Sequence, residues 1–281
     1  MEQSTVRIEA SATRVLLFDE VYPARAAQEQ ADKSRLNAFG TLARLNPLNR
    51  PRADTVQLSK SELRYEPFWH VEARREVDFI HDATYQVPVG NPHAQRLLVA
   101  GQELPVQSPD RKPWIELPVR EACLRRIEAT VFQDGMKRDT RTGALQRYVE
   151  KYRAIEQDQL DRDGLLRPLL SSAAATQMAL SRLASEAIDA TEIRDDAITI
   201  GKLHLYYRPV FAFEYAWTTA GKVGVVEVDG LTGDVVESGQ WFRDKLGAAM
   251  TRDLLVDIGA DAISMAIPGG SIAVKVINRL V

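Results

Sequence analysis

Two glutamates, Glu72 and Glu214, occupy matching positions of a sequence that repeats itself, and paired carboxylates are a residue type suited to acid/base chemistry. Facing one cleft, they would push each other's pKa values apart, leaving one to donate a proton and the other to accept it. The competing reading makes each a strand residue on a hydrated face, paired with Arg74 or Arg208. Perturbed carboxylates need burial that a polar strand face seldom supplies, so the second reading is favoured. His70, His81, His93 and His204 show no ligand spacing of the H-x-x-x-H type and read as ordinary strand or surface histidines. Cys123 is the only cysteine; it cannot form an internal disulfide and is expected to be a small buried apolar residue.

Other chemistries fail on spacing. Asp158, Asp161, Asp163 and Gly164 resemble a calcium loop, but Gln159 holds its first ligand position and Leu170 its last. Gly201-Lys202 and Gly221-Lys222 lack the upstream glycine of a phosphate-binding loop, no G-x-G-x-x-G follows a strand, and no G-x-S-x-G elbow is present. No catalytic residue, metal ligand or cofactor is therefore expected. A net charge of −3 without any block of Lys and Arg argues against nucleic acid as a partner. Hydrophobic residues at 45% and charged residues at 27% exclude wholesale disorder. The opening MEQSTVRIEA has neither a basic nor an apolar region, so a reducing, cytoplasmic setting is expected. No apolar stretch reaches the roughly 18 residues of a membrane-spanning helix.

The elements that must position these residues come from the duplication. Asp54 to Arg75 aligns without a gap on Asp196 to Trp217, 142 residues later. Identities are Asp54/Asp196, Lys60/Lys202, Leu63/Leu205, Tyr65/Tyr207, Pro67/Pro209 and Glu72/Glu214. Period-two alternation makes both copies strands. Leu63, Tyr65, Pro67, Trp69 and Val71 face a core in the first; Leu205, Tyr207, Pro209, Phe211, Phe213, Tyr215 and Trp217 do so in the second. The opposite face, with Arg64, Glu66, His70, His204 and Arg208, reads as the wetter one. Each strand follows a helical stretch, Ala24 to about Leu45 and Pro168 to about Ala187. After the second strand, turn chemistry at Thr219-Ala220-Gly221 and Asp229-Gly230-Leu231-Thr232-Gly233 predicts a three-stranded meander.

That meander, FEYAW followed by GKVGVVEVDGLTGDVVE within Pro209 to Glu237, resembles the PepSY-like module, in which strands end on a VD-x-x-TG-x-V hairpin packed against a helix. The resemblance implies a role in binding or regulating other proteins, without chemistry of its own, and transfers no functional residue.

The reading is an α+β protein of two related helix-plus-antiparallel-sheet modules in tandem with a C-terminal helical tail. Residues 1–145 form the first module, decorated with extra strands, 146–242 the PepSY-like second, and 243–281 the apolar tail. Arg243 to Ile267 reads as helix, broken by Pro268-Gly269-Gly270. The expected function is that of a non-catalytic cytoplasmic adaptor. Its tail would dock through Leu254, Ile258, Ile263, Met265, Ile267 and Ile272 on a protein partner, a second copy or a membrane surface. The alternative is an enzyme or small-molecule binder with a cleft between the modules, using Glu72 and Glu214.

Overall fold

The computed structural model describes residues 5–9, 11–40, 43, 50–107, 112–141, 143–157, 159–160, 162–237, 250–251 and 274–277. The first half holds β1 (Thr5–Glu9), β2 (Thr13–Phe18), α1 (Ala24–Ser34) with a 3-10 turn (Arg35–Phe39), β3 (Val56–Pro88), β4 (Arg96–Val99), β5 (Gln102–Pro105) and β6 (Trp114–Asp134). There follow α2 (Ala144–Lys151), β7 (Ala154–Glu156), β8 (Gln159–Leu160), α3 (Ser172–Ala184), β9 (Glu192–Trp217), β10 (Lys222–Asp229), β11 (Val235–Val236), β12 (Met250–Thr251) and β13 (Val274–Ile277).

The duplicated segments lie in the two long strands β3 and β9, whose alternating aromatic and β-branched residues suit a pleated, half-covered surface. These strands pair with each other. Tyr65 lies opposite Pro209 and Pro67 opposite Tyr207, and each is the other's repeat equivalent, so a pseudo-twofold axis passes between Glu66 and Arg208. Two of the three irregularities obey the same axis. The register slips at Ser59, between Leu58 and Lys60, and at Gly201, opposite the Glu72/Ala73 step, two residues 142 apart; a third slip, at Arg194 opposite the Asp78/Phe79 step, lies beyond the repeated segment. Each bulge switches the side-chain parity, which is why Val56, Ile198 and Ile200 reach the core at even positions while Tyr65, Leu203 and Leu205 reach it at odd ones.

The axis also relates parts that no single offset reveals. Beyond Asp134, Gly135 donates its N–H to Pro67 O at 2.9 Å; beyond Asp229, Gly230 donates to Pro209 O at 2.9 Å. The carbonyl of Gly135 accepts from Leu169 and Leu170, and that of Gly230 from Val21 and Tyr22. Ala27 and Ala31 of α1 are fully buried, as are Ala175 and Ala179 of α3. In both copies a short leading segment runs parallel to a long strand: β2 beside β9 with Leu17 opposite Tyr207, and Leu165 opposite Tyr65.

These pieces are exchanged. The helix of the first copy, α1, packs on β9 and β10, whereas α3 of the second copy packs on β3 and β6. One nine-stranded mixed sheet results. β9 is its spine, with β3 along one edge and β10, β2 and β1 in succession along the other. The expectation of an α+β tandem of helix-plus-sheet modules is therefore corrected: the molecule is mostly strand, with three short helices among the described residues. Each copy fills the other copy's hydrogen-bonding edge and core, so neither closes on itself. One face of the sheet carries the apolar cores under α1 and α3. The other carries a smaller core of Phe18, Phe68, Leu145, Tyr206 and Leu231 beneath α2.

The helical tail is corrected too. Its described residues are strands: Met250–Thr251 pairs with β8, and Val274–Ile277 extends the large sheet parallel to β1. The predicted docking residues Leu254, Ile258, Ile263, Met265, Ile267 and Ile272 lie outside the described residues. Past Ile80, β3 pairs with β6 alone, making a two-stranded arm tipped by the β4–β5 hairpin and a small core of Val89, Leu104 and Ile115. Cys123, on β6 opposite Phe79 at the base of this arm, is half-buried and not enclosed as expected.

Candidate functional site

Glu72 and Glu214 do not meet. Glu72 sits opposite Lys202 and Glu214 opposite Lys60, twelve ladder positions apart, or about 40 Å of strand. Each is held by its own lysine, Lys202 Nζ at 2.8 Å from Glu72 Oε1 and Lys60 Nζ at 3.6 Å from Glu214 Oε1. These are repeat-equivalent ion pairs beside the two bulges. Burial alone would raise the pKa of Glu72, but the Lys202 hydrogen bond and the charges of His70 and Lys202 lower it on balance. That carboxylate stays ionised and suits a structural ion pair, not a general acid.

Two histidines do converge. His70 and His204 lie opposite each other on the ladder, edge to face with centroids 6.1 Å apart, and His70 stacks on Phe132 at 4.2 Å. Burial pushes both imidazoles toward the neutral form, His204 down to about 4 with help from His70. His70 Nε2 lies 3.0 Å from Glu72 Oε1, but its angle is outside hydrogen-bond geometry. His81 stands 3.9 Å from the exposed Asp189 and His93 in a loop, both remote from this pair. Among the described residues no group of three or more His, Cys, Asp and Glu is placed to hold a metal.

The face expected to be wet is instead sealed over charge. At the pseudo-twofold axis Glu66, fully buried, meets three guanidinium groups: Arg64 at 2.7 Å, Arg208 at 2.7 Å and Arg138 at 2.5 Å. Arg64 also donates to Glu227 at 2.6 Å, Arg138 to Asp134 at 2.9 Å, and Arg208 to Asp229. Tyr148 OH donates to Asp229 Oδ2 at 2.6 Å, and the Arg208 guanidinium lies over its ring at 5.5 Å. Asp134 and Asp229 hold the ends of their strands alike: each accepts through Oδ1 from a backbone N–H two residues on, Met136 at 2.6 Å and Leu231 at 2.8 Å. Burial by itself would raise the Glu66 pKa, but Arg208, Arg138 and Arg64 outweigh it and bring it down to about 2.

This network floors a groove of ≈560 Å³ between α2 and the β10–β11 hairpin. Its α2 wall presents Ala144, Arg147, Tyr148 and Lys151, one helical stripe, after Arg141 at its mouth. Leu145 and Val149 of the same helix point into the core under α2. The opposite wall is Thr232, Asp234, Val235 and Val236, and the floor shows Arg208, Val210, Glu227 and Asp229. Sequence reasoning missed this site. The available signal was the match of Asp134-Gly135-Met136 to Asp229-Gly230-Leu231, hidden by an offset of 95 where the strands keep 142. No family model, no curated protein and no solved structure matches this chain.

Proposed function

We propose that the protein is a non-catalytic binding protein whose recognition site is the groove between α2 and the β10–β11 hairpin. The observation that carries this reading is the charge-compensated floor. Glu227 and Asp229 are each engaged by arginine, so the groove offers a fixed, preorganised surface. Its volume lies within the range of small-molecule and peptide-anchor sites. The PepSY-like resemblance of Pro209 to Glu237, which contributes the β10–β11 wall, points to the same class of function. No helix among the described residues is long and apolar enough to cross a membrane.

The test fills the groove. Ala144 lines it, and Ala144→Trp places an indole across its width. Affinity purification from the native host, with protein and small-molecule mass spectrometry, compares wild type with this variant at an unchanged denaturation midpoint. A stoichiometric ligand or partner lost in the variant supports the reading. One retained equally, or none with the wild type, overturns it. Docking through the tail belongs to the same proposal and is tested by Ile263→Ser with Ile267→Ser, since truncation at Arg243 would also remove the β13 strand from the sheet.

A further inference from the structure

Three exposed cations, Arg141, Arg147 and Lys151, stand at one side of the groove without a carboxylate partner among the described residues. Four other exposed arginines do have such partners: Arg14, Arg120, Arg125 and Arg126 each lie 2.8–3.2 Å from a carboxylate. The i, i+4 spacing of Arg147 and Lys151 puts both on the groove face of α2, and Arg141 precedes the helix on the same side. Carboxylates facing them from other elements are Glu227 and Asp229 in the floor and Asp234 on the opposite wall. Arg64 and Arg138 approach Glu227, and Arg208 with Tyr148 satisfies Asp229, so these two do not neutralise the rim. Among the described residues that line the groove, Asp234 is the remaining carboxylate, one negative charge across from three cations.

We infer that the groove takes a small polyanion, a phosphorylated or polycarboxylated molecule whose charged group is held by Arg141, Arg147 and Lys151; this rests on the groove being the recognition site. Guanidinium forks match phosphate and carboxylate oxygens two at a time, and lysine adds a point charge. The ≈560 Å³ volume exceeds what one phosphate fills, and Val210, Val235 and Val236 offer apolar contact to the ligand's body. Asp234, across the groove, accepts a hydroxyl or amine hydrogen from that body and sets its direction.

The probes are inorganic pyrophosphate and benzene hexacarboxylate, with spermine as the cationic control, titrated into the full chain by calorimetry and by amide chemical shifts. Expected are shifts confined to α2 and the β10–β11 hairpin, and a Kd weakened roughly tenfold or more by Arg147→Ala with Lys151→Ala. Arg120→Ala with Arg126→Ala, on distant exposed arginines, leaves Kd unchanged. The substituted side chains are exposed, and unchanged denaturation midpoints verify folding. Absence of binding by both anions at roughly 10 mM, or binding indifferent to the α2 substitutions, overturns the anion assignment. If Ala144→Trp still loses its host ligand in that case, the groove reading stands and its chemistry is otherwise. If pyrophosphate binds while Ala144→Trp retains its host partner, the anion site stands and the recognition reading falls.

Discussion

Glu66 is the residue on which the charged face converges, because it lies beside the pseudo-twofold axis and opposite its own repeat equivalent, Arg208. Its carboxylate offsets three guanidinium groups inside a low-dielectric region, where removing one partner exposes the others to an uncompensated cost. Glu66→Gln is therefore expected to destabilise the fold by about 3–5 kcal/mol in equilibrium urea denaturation at neutral pH. The pH dependence has a definite sign. Glu66 falls from its ordinary 4.5 to about 2 on folding, so its contribution is complete above 4.5 and is lost as pH drops toward 2. That interval carries on the order of 3 kcal/mol of acid sensitivity in the wild type, and the glutamine variant should flatten it. Equal acid limbs in the two proteins would remove Glu66 from this role. Alternation showed that Arg64, Glu66 and Arg208 share a face, but a polar strand face looks the same in sequence whether it meets water or a ring of counter-charges. What decides is α2 lying over it, and the helix arrives from a segment that the repeat does not include.

At the scale of elements, the molecule is governed by strands too long to remain regular. β3 runs 33 residues, several times a common strand, and follows β9 through register shifts at Ser59, Gly201 and Arg194. The turns that end β6 and β10 are equally matched. A Cβ at Gly135 would meet Pro67 O at 2.6 Å, and one at Gly230 would meet Pro209 Cβ at 2.8 Å and O at 2.9 Å. In both cases the obstacle is an inflexible proline that the long strand presents from the duplicated position. Gly135→Ala and Gly230→Ala should each cost about 1–3 kcal/mol, with similar values, because the same backbone must shift. Measuring both by urea denaturation checks this; a neutral effect at one glycine and a large one at the other would break the equivalence. The gapless offset of 142 made the two strands legible. The helices and turns were not, since α1 and α3 are 148 apart and the Asp-Gly turns 95 apart; the first hairpin carries 47 more residues, the excursion that builds the arm.

For the whole molecule, duplication and exchange have to be considered together. A repeated segment in sequence normally suggests two bodies in a row, and that inference failed here for a physical reason. The repeated strand pairs antiparallel with its own copy, so each copy's open edge is the other's partner, and edge strands left unpaired are a liability. The helices complete the exchange: Ala175, Ala179, Leu180 and Leu183 of the second copy share a core with Trp69, Val71 and Val131 of the first, as Ala27 and Ala31 of the first do with Phe211 and Phe213 of the second. Such an arrangement has the geometry of a homodimer joined into one chain, with isologous contacts about its axis. A half-chain therefore exposes both an apolar sheet face and a bare strand edge, too much surface for it to hold a fold alone. Residues 1–157 and 158–281, expressed separately, should give collapsed spectra or aggregates, and co-refolding at equal ratio should restore a dispersed amide spectrum and a one-to-one complex. Self-pairing of β9 about the same axis is no substitute, because it would set Arg208 against Arg208 without the Glu66 carboxylate between them. A well-dispersed monomer from either half, seen by size exclusion with light scattering, would show that the copies are independent bodies after all and that the axis through Glu66 and Arg208 is a contact between them and not the centre of one sheet.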